Sequence, residues 1–253
     1  MGHGTGPALA RLTPIASYVG ITEIKRRWAD NGPRLRMIWT DPPYGVDYAA
    51  KNAYLNRTDR GNRIQVPIEN DKLTACETGF LFKAALSAAK SWAQTEASVY
   101  ATVPSGPLLV HFIQAFTAAG FTFRAQLSWV KQQFVIGMAD YHHRDEPILY
   151  GWLPDGAHYF IEDRRQDDVF EMDKPHVNDQ HPTTKPVELI ARMVRNSSQE
   201  GELVFDPFCG SGSTLLAAHQ LQRIGYGVAI NPDYLAVTLE RLSMLGLKPE
   251  LMQ

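Results

Sequence analysis

The chain has 253 residues, of which 44% are hydrophobic, and its formal net charge is −2. This length accommodates one large α/β domain with an insertion and a sizeable buried core. No stretch approaches the roughly 18 consecutive apolar residues of a membrane span, and the two cysteines provide no disulfide framework. We therefore expect a cytoplasmic protein with no membrane partner. Composition by itself favours an enzyme with a small-molecule substrate.

The first half of the chain alternates between helical and strand-like patterns. Residues 1–17 read as a disordered tail, 21–30 have helical spacing, and Leu35–Thr40 is the first apolar strand. From 46 to 70 the chain is polar and shows no sustained period, which predicts a loop. Further elements are predicted at 80–92 (helix), 97–103 (strand), 108–119 (helix) and 121–130 (strand). This alternation predicts an α/β fold with a doubly wound, mostly parallel sheet.

The second half begins with the least regular segment. Residues 132–179 contain one strand-like run, at 147–152. Later elements are predicted at 187–196 (helix), 203–205 (strand), 214–222 (helix), 226–230 (strand) and 232–245 (helix). Gly246 ends the last helix, and residues 246–253 read as a second tail.

Two turns follow predicted strands and contain the most informative residues. Asp41-Pro42-Pro43-Tyr44 comes directly after Leu35–Thr40. The glycine-rich turn at 206–212 follows the strand at 203–205 and opens a helix. Ligands of open α/β sheets bind beyond the carboxyl ends of neighbouring strands. The two turns therefore predict a site for a flat ring and a nucleoside-bearing cofactor.

Three peptides resemble motifs of one enzyme family. Asp41-Pro42-Pro43-Tyr44 resembles the catalytic motif of DNA methyltransferases that act on the exocyclic amine of adenine. The turn at 206–212 resembles their S-adenosylmethionine loop, and the peptide at 181–189 is similar to the segment preceding it. The catalytic motif comes first in the chain and the cofactor loop last. This order is similar to that of the β class, which occurs in phages, prophages and restriction-modification systems.

The resemblance covers residues 18 to 245, which it implies form a Rossmann-like methyltransferase domain. S-adenosylmethionine would be the cofactor and double-stranded DNA the partner, with a possible homodimer. Residues 46–70 and 132–179 would be loop-rich target-recognition insertions that contact DNA.

The resemblance implies that the first turn binds an extruded adenine. An exocyclic amine is a poor nucleophile because its lone pair is delocalised into the ring. Asp41 and the carbonyl of Pro42 would accept both amino hydrogens, the paired proline Pro43 would fix the backbone, and Tyr44 would stack on the base. Methylation of cytosine N4, for which Ser would stand in place of Asp41, and of RNA adenine remain alternatives. Cytosine C5 chemistry needs a thiolate in a Pro-Cys turn, and neither cysteine has that context.

The second turn is expected to hold the cofactor. Glycines allow close backbone approach, and the helix start offers free N–H groups to a carboxylate. No Lys follows Gly212, as a phosphate-binding P-loop requires, and Leu215 stands where a dinucleotide fingerprint has a small residue. The expected cofactor-binding residues are Asp206, Pro207, Phe208, Gly210, Gly212, Ser213, Thr214, Lys185, Thr183 and Asn231.

Two positions depart from the family pattern. Ala229 stands where relatives have the acid that grips the cofactor ribose, and Ile21 follows Gly20 where an Asp is usual. Asn231 or Asp233 would have to compensate. A catalytically silent DNA- or nucleotide-binding protein is therefore a rival interpretation.

Basic residues between the two motifs are candidates for DNA contact. They are Arg57, Arg60, Arg63, Lys131, Arg144 and Arg164. The peptide at 142–146 contains two histidines and two acids, but its spacing matches no recognised ligand pattern, so we expect no metal.

Overall fold

A computed structural model describes residues 8–12, 34–46, 48–59, 72–135, 140–173, 185–229 and 232–252. Its strands are Ala8–Leu12 (β1), Leu35–Thr40 (β2), Ala93–Thr102 (β3), Thr122–Val135 (β4), His143–Trp152 (β5), Val169–Glu171 (β6), Leu203–Asp206 (β7), Ile224–Ala229 (β8) and Glu250–Met252 (β9). Its helices are Tyr48–Asp59 (α1), Ala75–Lys90 (α2), Leu108–Ala118 (α3), Val187–Ser197 (α4), Ser213–Gln220 (α5) and Pro232–Met244 (α6).

The strands form one sheet with the order β6-β4-β5-β3-β2-β7-β8-β1-β9. Its central strands β3, β2, β7 and β8 are parallel. Strand β5 pairs antiparallel with both β3 and β4, and β1 pairs antiparallel with both β8 and β9. The chain moves outward in one direction from β2 and in the other from β7, so a topological switch point lies between these two strands.

Helices cover both faces of the sheet. On one face, Phe82 of α2 and Phe112 of α3 pack with Ile38 and Phe205 from the central strands. On the other face, α4 and α5 pack against alternate residues of the same strands, among them Met37 and Val204. Alternate residues of the central strands are buried on each face of the sheet, so these strands are continuous apolar runs in the sequence.

Local sequence signals fix the ends of several elements. Thr74 accepts a hydrogen bond from the backbone N–H of Glu77, whose side chain bonds back to Thr74 N, so a capping box begins α2. Gly212 adopts a positive φ of 75° directly before α5, and Gly246 adopts 77° after α6. Glycine occupies this left-handed region without a steric penalty, so both positions suit the turns they make.

The structure confirms the doubly wound α/β prediction, with the parallel strands gathered at the centre of the sheet. The elements predicted from 80 to 130 and from 187 to 245 are present with shifted ends. None of the helices in the described part of the chain is long and apolar enough to cross a membrane.

Three local predictions were wrong. The loop expected over 46–70 contains α1, whose Ala-rich sequence forms a helix without the apolar period by which a helix is recognised. The tails expected at 1–17 and 246–253 contain β1 and β9, which are held by antiparallel pairing at the edge of the sheet. Such pairing depends on a partner distant in sequence, so a five-residue pattern gives no sign of it. The helix predicted at 21–30 lies outside the described residues.

Candidate active site

The two turns singled out in the sequence lie next to each other. Strands β2 and β7 pair in register at Ile38 and Phe205, so Asp41 and Asp206 follow the carboxyl ends of neighbouring parallel strands. Thr102, at the end of β3, lies on the other side of β2. Three strand ends therefore meet at one edge of the sheet, beside the switch point.

Asp41 is held by donors from two other elements. Thr102 Oγ1 donates to Asp41 Oδ1 over 2.6 Å, and the Lys185 ammonium lies 2.8 Å from Asp41 Oδ2. The Tyr44 hydroxyl lies 3.0 Å from Asp41 Oδ1. The Asp41 side chain nevertheless stays 22% exposed, compared with 10% for Lys185. A carboxylate of fixed orientation thus faces the open side of the site.

Glu146 is the acceptor at the centre of this cluster. One oxygen, Oε1, receives the Tyr44 hydroxyl and the Lys185 ammonium, each over 2.6 Å. The other, Oε2, lies 2.8 Å from the Lys131 ammonium. Glu146 reaches this position because β5 runs antiparallel to β3, which brings the start of β5 to the carboxyl ends of the parallel strands.

The buried charges of the cluster stabilise one another. Burial raises the pKa of Glu146, but the Lys185 and Lys131 ammoniums outweigh it and bring the pKa to about 2. Burial lowers the pKa of Lys185, but Asp41 and Glu146 outweigh it, so this pKa is raised. Lys185 is therefore a permanent cation and Glu146 a permanent anion at physiological pH.

The ring of Tyr44 packs into the protein core. It meets Phe112 edge to face, with ring centroids 6.1 Å apart, and Lys185 Nζ lies 5.6 Å from the Tyr44 ring centroid. Burial, followed by the charges of Asp41 and Glu146, raises the pKa of Tyr44. Tyr44 is only 9% exposed, and its expected stacking on a base stays a prediction.

Asp206 lies at the start of the glycine-rich turn and is only 2% exposed. Its carboxylate accepts hydrogen bonds from the Phe208 backbone N–H and the Thr214 hydroxyl. Burial raises the pKa of Asp206 to about 7, and the nearby charge of Asp41 adds to this rise. Near pH 7 the folded protein therefore has Asp206 in both its protonated and its ionised form, and the two turn donors are its partners.

Helix α6 holds the outer side of this turn. Thr238 Oγ1 donates to the Gly210 carbonyl over 2.6 Å, and Arg241 Nη1 donates to the Ser211 carbonyl over 2.9 Å. A Cβ atom at Gly212 would lie 2.5 Å from Thr238 Cγ2. The turn therefore fits closely against α6, and the glycine at this position is required for both space and conformation.

Ala229 is the last residue of β8 and is buried. It belongs to an apolar cluster with Cys209, Leu215, Leu216 and Leu235. The acid that relatives have at this position would therefore enter apolar surroundings here. Cys209 fills the space beside Gly227, where a Cβ atom would lie 2.6 Å from that of Cys209. Cys209 is thus a small apolar residue that fills this part of the turn.

The residues proposed to contact DNA lie in different settings. Lys131 pairs with Glu146 and has a side chain only 12% exposed. Arg57 and Arg144 are exposed and bond to backbone carbonyls, and Arg164 is exposed. Arg60, Arg63, Thr183 and Asn231 lie outside the described residues, as do Gly20 and Ile21.

Comparison with known proteins identifies the family. A model of the N6/N4 methyltransferase family, described as DNA methylase, matches residues 35–240. The chain belongs to this DNA methylase family. The match runs from β2 through α6 and includes both turns, Glu146 and Lys185, and it confirms the resemblance noted in the motifs.

Curated relatives align with shorter parts of the chain. The type II methyltransferase M.HpaI of Haemophilus parainfluenzae is 47% identical over 62 residues, which are 24% of this chain and 20% of that protein. The DNA adenine methyltransferase YhdJ of Escherichia coli K12 is 41% identical over 25% of this chain and 22% of its own length. M.BglII of Bacillus subtilis is 23% identical over 54% of this chain and 47% of its own length. The chain thus spans between a fifth and about a half of these relatives.

Solved structures share the fold along most of the chain. The M1.HpyAVI–SAM complex has a TM-score of 0.62 at 19% identity and covers 88% of this chain and 95% of its own. The cytosine-N4-specific PvuII DNA methyltransferase has a TM-score of 0.68 at 14% identity, with coverage of 91% and 87%. These likenesses establish the architecture.

Four residues of the site were missed by sequence reasoning: Thr102, Glu146, Thr238 and Arg241. Glu146 had a usable signal, because it directly precedes the apolar run that forms the core of β5. Thr238 and Arg241 are three residues apart on α6 and therefore share one face of that helix. Lys185 was expected to bind the cofactor, and in the structure its ammonium pairs with Asp41 and Glu146.

Proposed function

We propose that this chain transfers a methyl group from S-adenosylmethionine to the exocyclic N6 of an adenine extruded from DNA. The observation that supports this most is the position of Asp41. Its carboxylate is partly exposed, is oriented by the Thr102 hydroxyl, and lies beside the glycine-rich turn. A carboxylate so held can accept an amino hydrogen and localise the lone pair of the nitrogen that attacks.

The choice of adenine rests on the acid at the first position of the Asp41-Pro42-Pro43-Tyr44 turn. Family membership covers both N6 and N4 amines, which share the same requirement for an acceptor. The aspartate supports adenine, because the resemblance associates a serine there with cytosine N4. Adenine N6 and cytosine N4 methylation yield different products, so one assay separates them.

The turn between β7 and α5 fits a nucleoside-bearing cofactor. Gly210 and Gly212 have positive φ values of 45° and 75°, a tight turn conformation that glycine adopts without a steric penalty. Asp206, Phe208 and the first residues of α5 would hold the cofactor, which supplies an electrophilic methyl carbon when bound. The acceptor for the target amine would be the Asp41 carboxylate, which lies just beyond the end of the neighbouring strand β2.

The hairpin of β4 and β5 supports duplex DNA as the substrate. Near its tip, Phe134 is 56% exposed and Tyr141 88% exposed. Phe134 stacks on His142 with centroids 5.2 Å apart, and the exposed Arg144 is close by in the sequence. Aromatic faces with a nearby cation suit contacts to unstacked bases and phosphates. Glu146 and Lys131 lie a few residues from this tip, and Glu146 joins the Asp41 cluster through Tyr44 and Lys185.

The decisive experiment is methylation of mixed-sequence duplex DNA with isotopically labelled S-adenosylmethionine, followed by nucleoside mass spectrometry. We expect labelled N6-methyladenine from the wild type and none from Asp41→Ala, which should still fold and bind cofactor. Labelled N4-methylcytosine would overturn the choice of base. Absence of any labelled base, together with no heat of cofactor binding in calorimetry, would favour the silent-protein interpretation.

A further inference from the structure

The carboxylate of Asp41 is already occupied by donors from its own chain. Thr102 donates to Oδ1, and the Lys185 ammonium lies 2.8 Å from Oδ2. The Tyr44 hydroxyl has a single proton, and its 2.6 Å contact to Glu146 is shorter than its 3.0 Å contact to Asp41. A target amine that approaches Asp41 therefore meets the Lys185 ammonium at Oδ2.

An ammonium at this position opposes the proposed reaction. It reduces the strength of Asp41 as an acceptor, and it repels the positive charge that develops on the amine during methylation. Charge repulsion of this kind is large in a site with little exposure to water. Productive binding of the base therefore requires that Lys185 be drawn away from Asp41.

Glu146 is placed to draw Lys185 away. Its Oε1 lies 2.6 Å from Lys185 Nζ, so the lysine already touches its second acceptor. Lys131 fixes the other oxygen of Glu146, and the Glu146 side chain is only 12% exposed. Two carboxylates and two ammoniums balance in this cluster, so after a small shift of Lys185 toward Glu146 both buried ammoniums keep an anion. Asp41, which is 22% exposed, is then left with the Thr102 hydroxyl and the incoming amine as partners.

We propose that Glu146 is a positioning residue that retains the Lys185 ammonium while the target amine takes its place at Asp41. This rests on the proposed methyl transfer. Glu146 also accepts the Tyr44 hydroxyl, so the same carboxylate fixes the ring that follows the Pro-Pro turn. Glu146 thus sets both the charge at Asp41 and the orientation of Tyr44 without touching the base.

The test compares Glu146→Gln with the double variant Glu146→Gln/Lys185→Met. The neutral amide competes poorly for the ammonium, so kcat of Glu146→Gln should fall about ten- to a hundredfold. Affinities for cofactor and duplex should stay at wild-type values. Removal of the ammonium in the double variant should restore part of the lost kcat. A purely structural role for Glu146 predicts that the double variant is slower than the single one.

The matched control is Glu146→Gln/Lys131→Met. Lys131 pairs with Glu146 over 2.8 Å, the same distance at which Lys185 pairs with Asp41, but it contacts the Glu146 oxygen Oε2, whereas Lys185 contacts Oε1. Its removal should therefore bring no recovery of kcat. Wild-type kcat in Glu146→Gln, or equal recovery from both lysine changes, would overturn the proposal.

A measurement without substrate separates this inference from the proposed function. Urea unfolding of Asp41→Asn, of Glu146→Gln and of the double variant Asp41→Asn/Glu146→Gln reports whether the two acids share the Lys185 ammonium. Sharing predicts that the double variant is less stable than the sum of the single effects, because Lys185 loses both acceptors. This excess should vanish in a Lys185→Met background. Additive effects would refute the sharing of Lys185 even if the enzyme methylates adenine. A lack of methylation with clear coupling would refute only the proposed reaction.

Discussion

Asp206→Asn should stabilise the folded protein in a way that grows with pH. Burial raises the pKa of Asp206 from its ordinary value of 3.8 to about 7. A carboxyl whose pKa rises on folding weakens stability as the pH increases, because the unfolded chain releases the proton first. The loss begins near the unfolded pKa and is complete above the folded one. Across the whole interval it amounts to about 4 kcal/mol.

Asparagine removes this dependence and keeps the shape of the side chain. Its amide oxygen can accept the Phe208 N–H, while the Thr214 hydroxyl can turn to accept from the amide nitrogen. The difference in unfolding free energy, variant minus wild type, should therefore increase by about 3 kcal/mol from about pH 5 to about pH 8. Urea unfolding of both proteins at several pH values measures this difference, in which the contributions of the other titrating groups cancel.

Asp163→Asn is the matched control for this prediction. Asp163 is partly exposed, and hydrogen bonds from Arg165 lower its pKa. Its replacement should therefore leave the difference flat from about pH 5 to about pH 8, with a small change of the opposite sign only at more acidic pH. A pH-independent difference for Asp206→Asn would show that Asp206 ionises freely in the folded protein and would refute the reasoning from burial.

Four further outcomes are expected. Tyr44→Phe keeps the ring but loses its hydroxyl bond, so the methylation rate should fall about tenfold, and Tyr44→Ala should fall further; equal rates for wild type and Phe would remove the hydroxyl from the site. Gly212→Ala should lower the melting temperature more than Gly246→Ala, because both have positive φ but only the former Cβ would collide with α6; equal shifts would contradict that close fit. Ala229→Glu should destabilise by about 1–3 kcal/mol, since its carboxylate would enter an apolar cluster, and tighter cofactor binding with unchanged melting would refute this. Duplex affinity should fall steeply with salt, and Arg144→Gln should reduce the log–log slope by about one; an unchanged slope would exclude a phosphate contact there.

The sequence was sufficient for the centre of the fold. Leu35–Thr40 and Leu203–Asp206 were recognisable because strands buried on both faces are continuous apolar runs. The turns that follow them could be assigned because Pro42, Pro43, Gly210 and Gly212 restrict or extend backbone conformation in known ways. These local signals need no information about distant parts of the chain.

The rest of the site depends on pairings that no local pattern contains. Glu146 joins Asp41 only because β5 runs antiparallel beside β3. Lys185 lies just before α4 and pairs with both acids. The sequence alone does not show whether its charge acts on the cofactor or on the target base. The surroundings of Ala229 follow from the packing of β8 against α5 and α6. All three arrangements depend on tertiary contacts, which the spacing of residues along the chain does not show.

The pairing of β2 with β7 has a consequence for how the protein is made. Leu35 is hydrogen-bonded in register beside Leu203, so a strand that is synthesised early completes its ladder with one that emerges late. Until then, an apolar strand has one unpaired edge, which is a template for association with other chains. Contacts of such large sequence separation also slow folding. We therefore expect production of the protein to depend on chaperones that shield this nascent edge, and fragments that end before β7 to aggregate.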